Sequence, residues 1–150
     1  MKNHKKALFD YVITDLNAKI EEAQQAIDSA TESRNSDTKS SAGDKHETGR
    51  AMVQIELDKS KMQLAKALTL KSEMTRIDPT SVCEKVEFGS LVTTNLGTYF
   101  MAIGIGKVNL DNTDFFVISL ASPIGQSMLS KNEGDVINFQ GREFEIATIE

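Results

Sequence analysis

Two different spacings of apolar residues divide this chain of 150 residues into an N-terminal and a C-terminal part. From residue 9 onward, apolar positions recur at alternating intervals of four and three, at Phe9, Ile13, Leu16, Ile20, Ala23, Ile27 and Ala30. This heptad repeat is typical of a helix that packs along one stripe, and the polar residues between the apolar ones suit its solvated face. The pattern predicts a helix from about residue 4 to residue 33, roughly 40 Å long.

A second helical pattern runs from about Asp44 to Arg76 and stops before Pro79, because proline disfavours helical geometry in the residue before it. Its predicted buried stripe is formed by Ala51, Ile55, Met62 and Ala65, and is widened by Leu57, Leu64 and Leu68. A reversal of the chain near residue 40 would pair the two helices as an antiparallel coiled-coil hairpin, with Ile20 close to Met62.

The polar stretch 34–50 separates the two helical patterns. Ser, Asn, Asp and Gly are concentrated there, and these residues favour turns over helix. We therefore expect the tip of the hairpin at about residues 34–50. Asp44 and Glu47 lie three positions apart within it. Because a hairpin tip has no walls to enclose a substrate, these carboxylates are better suited to completing a site in another protein than to forming one alone.

After Pro79 the apolar residues form short runs separated by turn residues, which is typical of β-strands. The predicted strands are residues 86–94, 98–108, 115–120, 136–139 and 143–149, with turns at 95–97, 111–112, 133–135 and 140–142. Ser122 and Pro123 suit the N-cap and first turn of one short helix. The predicted fold class is α+β, with the hairpin in residues 1–78 and a small antiparallel β-sheet domain in residues 79–150.

The net charge of −5 is distributed unevenly along the chain. Residues 1–78 hold 13 basic and 13 acidic residues, whereas residues 79–150 hold 4 basic and 9 acidic ones. An acidic domain is a poor candidate for binding nucleic-acid phosphates. A protein surface is therefore the better candidate partner for the C-terminal part.

The single cysteine, Cys83, excludes an internal disulfide and fits a reducing compartment. Its neighbours Val82 and Glu84 supply no activating base or cation, so we expect a plain buried thiol. No apolar run approaches the roughly 18 residues of a membrane span. The basic N-terminus is followed by an amphipathic stretch rather than by the apolar segment of a signal peptide. We expect a cytoplasmic protein.

Several short motifs follow one another through the C-terminal part: Phe88-Gly89-Ser90, Ile118-Ser119-Leu120-Ala121-Ser122-Pro123-Ile124-Gly125, Gly134-Asp135 and Phe144-Glu145-Ile146. With the preceding hairpin, they resemble the Gre-type transcription elongation factors, the GreA/GreB group. The resemblance implies a coiled coil inserted into the secondary channel of bacterial RNA polymerase and an FKBP-like C-terminal domain docked at the channel mouth. It makes Ser122, Pro123 and Ile124 candidate docking residues, although the same residues also suit a simple helix start.

The tip of that family usually has the sequence Gly-Asp-x-x-Glu-Asn-Ala-Glu-Tyr. Gly43-Asp44-Lys45-His46-Glu47 matches the first half, whereas Thr48, Gly49, Arg50 and Ala51 depart from the second. By resemblance, Asp44 and Glu47 are the candidate catalytic residues, which would help to hold Mg²⁺ in the active centre of the polymerase and only in that complex. Mg²⁺ often takes one or two protein carboxylates, and a second metal stabilises the attacking and leaving oxygens in phosphodiester hydrolysis.

Other interpretations of the tip remain open. Asp44 and Glu47 also fit a capping-box pattern, in which a side chain at the helix start bonds the backbone N–H groups of the first turn. Lys45 and Arg50 are candidate contacts to the RNA backbone, but they also suit a role in keeping the tip soluble. Each of these interpretations assigns the same residues a different task.

The first functional hypothesis is an accessory factor, not itself an enzyme, that stimulates cleavage of the transcript in backtracked polymerase complexes with Mg²⁺ shared with the polymerase. Its partners would be RNA polymerase and the 3′ end of the nascent RNA, with DNA contacted only indirectly, no membrane, and a monomeric chain. An alternative keeps the docking without cleavage, as a channel-binding regulator that modulates or inhibits transcription. A third hypothesis is a coiled-coil adaptor or an FKBP-like isomerase, which would need a concave aromatic pocket that scattered Phe and Tyr residues do not promise.

Overall fold

The computed structural model describes the backbone of residues 4–38 and 43–150, and the side chains of residues 4–35 and 49–150. Two long helices, α1 and α2, precede six strands and one short helix. The elements are α1 His4–Thr38, α2 Gly43–Met74, β1 Leu91–Thr94, β2 Gly97–Ala102, β3 Gly106–Leu110, β4 Thr113–Ser119, α3 Pro123–Met128, β5 Val136–Phe139 and β6 Arg142–Ile149. The predicted α+β class is confirmed, as a helical hairpin followed by a small, mostly antiparallel sheet with one short helix.

Helical backbone extends further into the polar stretch than the sequence predicted. Residues 34–38 belong to α1 and residues 43–50 to α2, so the predicted tip at about 34–50 is helical in both flanks. Ser, Asn and Asp are only weakly unfavourable in a helix interior. A long helix, once nucleated, tolerates several of them. The side chains of Asp44, Lys45 and Glu47 lie outside the described residues.

Packing divides the chain into two compact units. The sheet unit comprises Met1–Val12 and Ser72–Glu150, and the hairpin unit comprises Ile13–Lys71. The domain boundary predicted after residue 78 marks the end of the helical pattern in the sequence. It stays a prediction.

The α1 side of the hairpin follows the predicted heptad. Leu16 and Ala23 are buried, and Ile20, Ile27 and Ala30 are half-buried. Polar and charged residues together occupy most of the exposed positions between them. The spacing of four and three therefore located the buried face of α1 correctly.

The predicted main stripe of α2 is wrong, since Ile55 and Met62 are 67% and 74% exposed. Two of the residues predicted to widen it, Leu57 and Leu64, do lie on the buried face. The expected proximity of Ile20 to Met62 stays a prediction. The face that is buried instead follows a different row with the same spacing, made of Val53, Leu57, Ser60, Leu64 and Ala67. A small polar serine and an alanine stand in this row. Asp58 interrupts the predicted row of Ala51, Ile55, Met62 and Ala65, so the buried row, with Val53, Leu57 and Leu64, is the more apolar of the two.

The sheet has the strand order β3-β4-β2-β1-β6-β5. Neighbouring strands are antiparallel except β2 and β4, which pair in parallel from Thr98 with Phe115 to Ala102 with Ser119. The predicted strand 98–108 is in fact two strands, β2 and β3, separated by a bend at residues 103–105. After this bend, β3 pairs with β4 rather than with β2, and β4 pairs with β2 in parallel.

Two hairpin turns have the geometry that their sequences predict. Asp111 and Asn112 have φ values of 52° and 63°, and Gln140 and Gly141 have φ values of 51° and 77°. Two central residues with positive φ make a two-residue turn whose twist matches the flanking strands, and Asn, Asp and Gly tolerate this conformation best.

The two faces of the sheet are covered by different elements of the sheet unit. On one face, Met128 of α3 joins a buried cluster that contains Val86, Val92, Met101, Ile137, Phe144 and Ile146. On the other, the ring of His4 meets that of Phe115 at 5.4 Å between centroids, and Leu8 and Val12 are fully buried. The start of α1 is thus part of the core of the sheet unit. No helix in the described part of the chain is long and apolar enough to cross a membrane.

Candidate functional site

The start of α3 is held by a compact network around Ser122. The Ser122 hydroxyl accepts a hydrogen bond from the Gly125 N–H at 3.1 Å and donates one to the Ser119 carbonyl at 2.6 Å. The backbone of Ser122 is extended, and Pro123 follows as the first helical residue. An N-cap oxygen satisfies a backbone donor that the helix itself leaves unpaired, and proline suits the next position because its lost N–H is not needed there. The predicted helix start is confirmed.

Gly125 explains why this turn is tightly specified. A Cβ at this position would overlap the Ser119 carbonyl oxygen and lie 2.9 Å from the Leu120 Cα. The first turn of α3 therefore packs directly on the backbone that follows β4. Glycine permits this approach because it has no Cβ, so Gly125 has a local structural role whatever else the Ser-Pro-Ile-Gly sequence does.

The three candidate docking residues differ in how much of each is available to a partner. Pro123 is exposed, Ser122 is half-buried by its capping bonds, and Ile124 is half-buried against the core cluster. A substitution at Ile124 would therefore disturb the core as well as a surface. Pro123 is the residue of the three whose replacement tests a contact without removing packing, and Leu129 adds an apolar side chain that is 45% exposed at the end of α3.

At the hairpin tip, the structure describes the backbone of residues 34–38 and 43–50 and the side chains of residues 34–35 and 49–50. Helix α2 begins at Gly43, so positions 44 and 47 are one turn apart in its first two turns. Arg50, the second candidate RNA contact, is exposed, and Gly49 beside it is half-buried. Among the residues whose side chains are described, no group of three or more His, Cys, Asp or Glu residues is placed to hold a metal ion.

One buried polar residue, a lysine, was not identified as important from the sequence. Lys5 is 3% exposed, and its ammonium donates to the Ser81 carbonyl at 2.8 Å, the Glu150 carbonyl at 3.1 Å and the Cys83 Sγ at 3.8 Å. These bonds fasten the start of α1 to the segment before β1 and to the residue after β6. The sequence held one signal for this role, because Lys5 is in helical phase with Leu8 and Val12.

Cys83 is buried, as predicted, but a cation does lie beside it. Burial raises the pKa of the Cys83 thiol, and the positive charge of Lys5 opposes that rise without cancelling it. The thiol therefore stays protonated near neutral pH. The sequence neighbours Val82 and Glu84 were a poor guide here, because the cation comes from a residue 78 positions away.

The aromatic residues of the sheet unit are less scattered than the sequence suggested. Tyr99 stacks on Phe116 at 5.4 Å and lies 6.4 Å from the ring of Phe144. Burial raises the pKa of the Tyr99 hydroxyl, so it remains neutral. The rings pack mainly on one another and on the core, which is the arrangement of a partly exposed sheet face.

Comparisons with known proteins add a similarity to a solved structure. Neither a protein-family model nor a curated protein matches the chain. A solved structure described as that of the transcription factor Gfh1 is 19% identical, with 92% of each chain covered and a TM-score of 0.37. No functional conclusion is drawn from a similarity at this level.

Proposed function

We propose that this chain is an accessory factor of bacterial RNA polymerase that enters the secondary channel and stimulates cleavage of the transcript in backtracked complexes. The observation that carries the proposal is the combination of two features in one chain. A long helical hairpin has Gly-Asp-x-x-Glu at the start of its second helix. A separate sheet unit holds Ser-Pro-Ile-Gly as a capped helix start.

The dimensions of the hairpin support insertion into a channel. Within the hairpin unit, α1 contributes residues 13–38 and α2 residues 43–71, which at about 1.5 Å per residue gives a hairpin of roughly 40 Å. Two antiparallel helices have a cross-section of only about 20 Å, since each is about 10 Å wide with its side chains. A rod of this shape delivers residues of its turn to a deep site that a globular surface does not reach.

The tip sequence supports a role in metal-assisted chemistry. Mg²⁺ binds about six oxygens and usually takes few of them from protein, leaving the remainder to water and phosphate. Asp44 and Glu47, one helical turn apart, would add negative oxygen ligands beside the phosphodiester, and the polymerase would supply the rest of the coordination. A metal placed there lowers the pKa of a bound water and stabilises the charge of the leaving oxygen.

The charge and shape of the sheet unit support docking on protein. Its excess of acidic residues, 12 against 8 basic ones, disfavours a nucleic-acid surface. Ala121 and Pro123 are exposed on either side of Ser122, the residue that caps α3, so the turn presents a rigid apolar edge. A rigid edge loses little entropy on binding, which favours its use as an anchor.

The cleavage of labelled RNA in stalled polymerase complexes tests the proposal. The unmodified chain should shorten the 3′ end in a manner dependent on Mg²⁺, and Asp44→Asn should lose this activity while still binding the polymerase. Asp28→Asn is the matched control, because Asp28 is an exposed carboxylate on α1, and it should cleave normally. Equal cleavage by the unmodified chain and Asp44→Asn would contradict the metal role of Asp44.

A second function is favoured by the departure of the tip from the family sequence. Thr48, Gly49, Arg50 and Ala51 replace the Asn, Glu and Tyr region that usually follows the first carboxylates. A chain that docks in the channel without cleavage would act as a regulator that blocks or modulates transcription. The same assay separates the two functions: an unmodified chain that binds and alters elongation but never shortens the RNA is a regulator.

A further inference from the structure

Helix α2 exposes a row of apolar and basic side chains on the face turned away from its buried seam. Met52, Ile55 and Met62 are 64%, 67% and 74% exposed, and Lys59 and Lys66 are exposed in the same row. Their spacing of three and four residues places all five along one side of the helix. We call this row the outer stripe of α2. It extends over 15 residues, or about 21 Å from the first Cα to the last.

The outer stripe has no partner within the chain as far as the structure describes it. Lys59 and Lys66 form no ion pair among the described residues, in contrast to Lys19 of α1, whose Nζ lies 3.0 Å from the Asp15 carboxylate. Exposed single apolar residues are ordinary, but an aligned row of them is typical of an interaction surface. Methionine in such rows adapts its shape to the partner.

The two helices of the hairpin unit carry opposite charge. Residues 13–35 of α1 hold two basic and five acidic residues, for a net charge of −3. Residues 49–71 of α2 hold five basic and two acidic ones, for a net charge of +3. The row of apolar side chains therefore lies on the positive helix. Because Lys59 and Lys66 stand in the row with the apolar side chains, the outer stripe matches a surface on which carboxylates are interspersed with apolar residues.

We propose that the outer stripe of α2 docks on an acidic, amphipathic helical segment of RNA polymerase. The proposal rests on the proposed function for the identity of the partner, and it adds the face of the hairpin that makes the contact. Amphipathic helices bind apolar stripes through anchors at intervals of three and four residues, which is the spacing found here. Carboxylates of the partner would pair with Lys59 and Lys66.

Other occupants fit the stripe less well. Helix α2 contains no Phe, Tyr or Trp, so it lacks the rings on which nucleic-acid bases stack and those that anchor a helix at a membrane surface. A second copy of α2 would bring lysines of the two stripes together, which is unfavourable. A second copy of α1 has the right charge, but Tyr11 is its only large apolar side chain that is mainly exposed in the described residues.

Binding of purified polymerase core to labelled full-length variants tests the stripe. Ile55→Gln with Met62→Gln, and separately Lys59→Glu, should each weaken binding about tenfold, because each removes one kind of complementarity. Lys61→Glu is the matched control: it reverses the same charge two residues away and on another side of the helix, and it should retain affinity within about twofold. Far-UV circular dichroism of each variant should match the unmodified chain, since all four positions are exposed.

Photo-crosslinking locates the partner in the same complexes. A benzophenone side chain in place of Met62 should crosslink to an acidic helical segment of the polymerase, whereas the same group in place of Gln25 on α1 should not. Crosslinks to RNA or to another copy of this chain, or equal affinity of Lys59→Glu and Lys61→Glu, would overturn the docking face alone. Failure of the unmodified chain to bind polymerase would overturn the proposed function and the docking face together.

Discussion

The two units of this chain are stabilised in different ways. The sheet unit buries large side chains completely, among them Phe100, Met101, Leu91 and Met128, on both faces of a six-stranded sheet. The hairpin unit buries a single narrow row on each helix and leaves Met52, Ile55 and Met62 in solvent. The comparison teaches that burial is distributed unevenly in this molecule. One unit is packed around large apolar side chains, and the other leaves several apolar side chains of α2 exposed.

The largest expected effect falls on the seam of the hairpin. Leu57 is 1% exposed, so Leu57→Ala should lower the free energy of unfolding by about 2–4 kcal/mol through lost burial and an unfilled cavity. Met62→Ala, on the exposed face, should change it by no more than about 0.5 kcal/mol. Urea unfolding followed by helical circular dichroism measures both. If Met62→Ala costs as much as Leu57→Ala, the assignment of the buried face of α2 is wrong.

A comparable local test exists in the sheet unit. Gly125→Ala should cost about 1–3 kcal/mol, because the added methyl group meets the backbone of Ser119 and Leu120. Gly104→Ala is the matched control, since a Cβ there has nothing within 4 Å, and it should be nearly neutral. Thermal unfolding of the two variants measures this difference in stability. Equal melting temperatures would mean that the turn before α3 is looser than described.

Substitutions of Lys5 and Lys19 compare the contribution of a buried charge with that of an exposed one. Lys5→Met keeps the length of the side chain but removes the donor to the Ser81 carbonyl, and we expect a loss of about 1–3 kcal/mol from the unpaired oxygen. Lys19→Met breaks only a surface pair with Asp15 and should cost about 0–0.5 kcal/mol. Denaturant titration of both variants is the measurement. Equal and small losses would show that the three bonds of Lys5 contribute nothing net.

The smallest effect concerns the reactivity of Cys83. Since burial raises its pKa above the ordinary value, less thiolate is present at a given pH, and alkylation should be slower than for a free thiol. The difference should shrink as the pH rises through the raised pKa, because the thiolate then predominates. Iodoacetamide kinetics of the folded chain, with the urea-unfolded chain as the reference, measure this. Equal rates at pH 8 would contradict the burial of the thiol.

The fold was largely predictable because its elements follow local rules. The heptad of α1, the capped start of α3 and the paired positive-φ residues at Asp111 and Asn112 are each specified by residues close in sequence. The buried face of α2 was not identified in this way. Two rows of the same period lie side by side there, and the row that includes Ser60 and Ala67 was overlooked, although Val53, Leu57 and Leu64 make it the more apolar one.

The candidate site was predictable in part. Local sequence identified Ser122 and Pro123, since capping depends only on neighbouring residues. It did not show that Ile124 packs on the core, or that Lys5 lies beside Cys83, because those contacts join residues far apart in the chain. The roles of Asp44 and Glu47 stay predictions, since their side chains lie outside the described residues.

Titration of the fluorescently labelled chain with purified RNA polymerase core tests the central claim most directly. The account predicts saturable binding of one chain per polymerase. Pro123→Glu should weaken this binding, because it alters an exposed residue of the apolar edge proposed to dock. Leu96→Glu, at another exposed apolar position of the same unit, should bind as the unmodified chain does. Absence of saturable binding by the unmodified chain would contradict the claim that RNA polymerase is its partner.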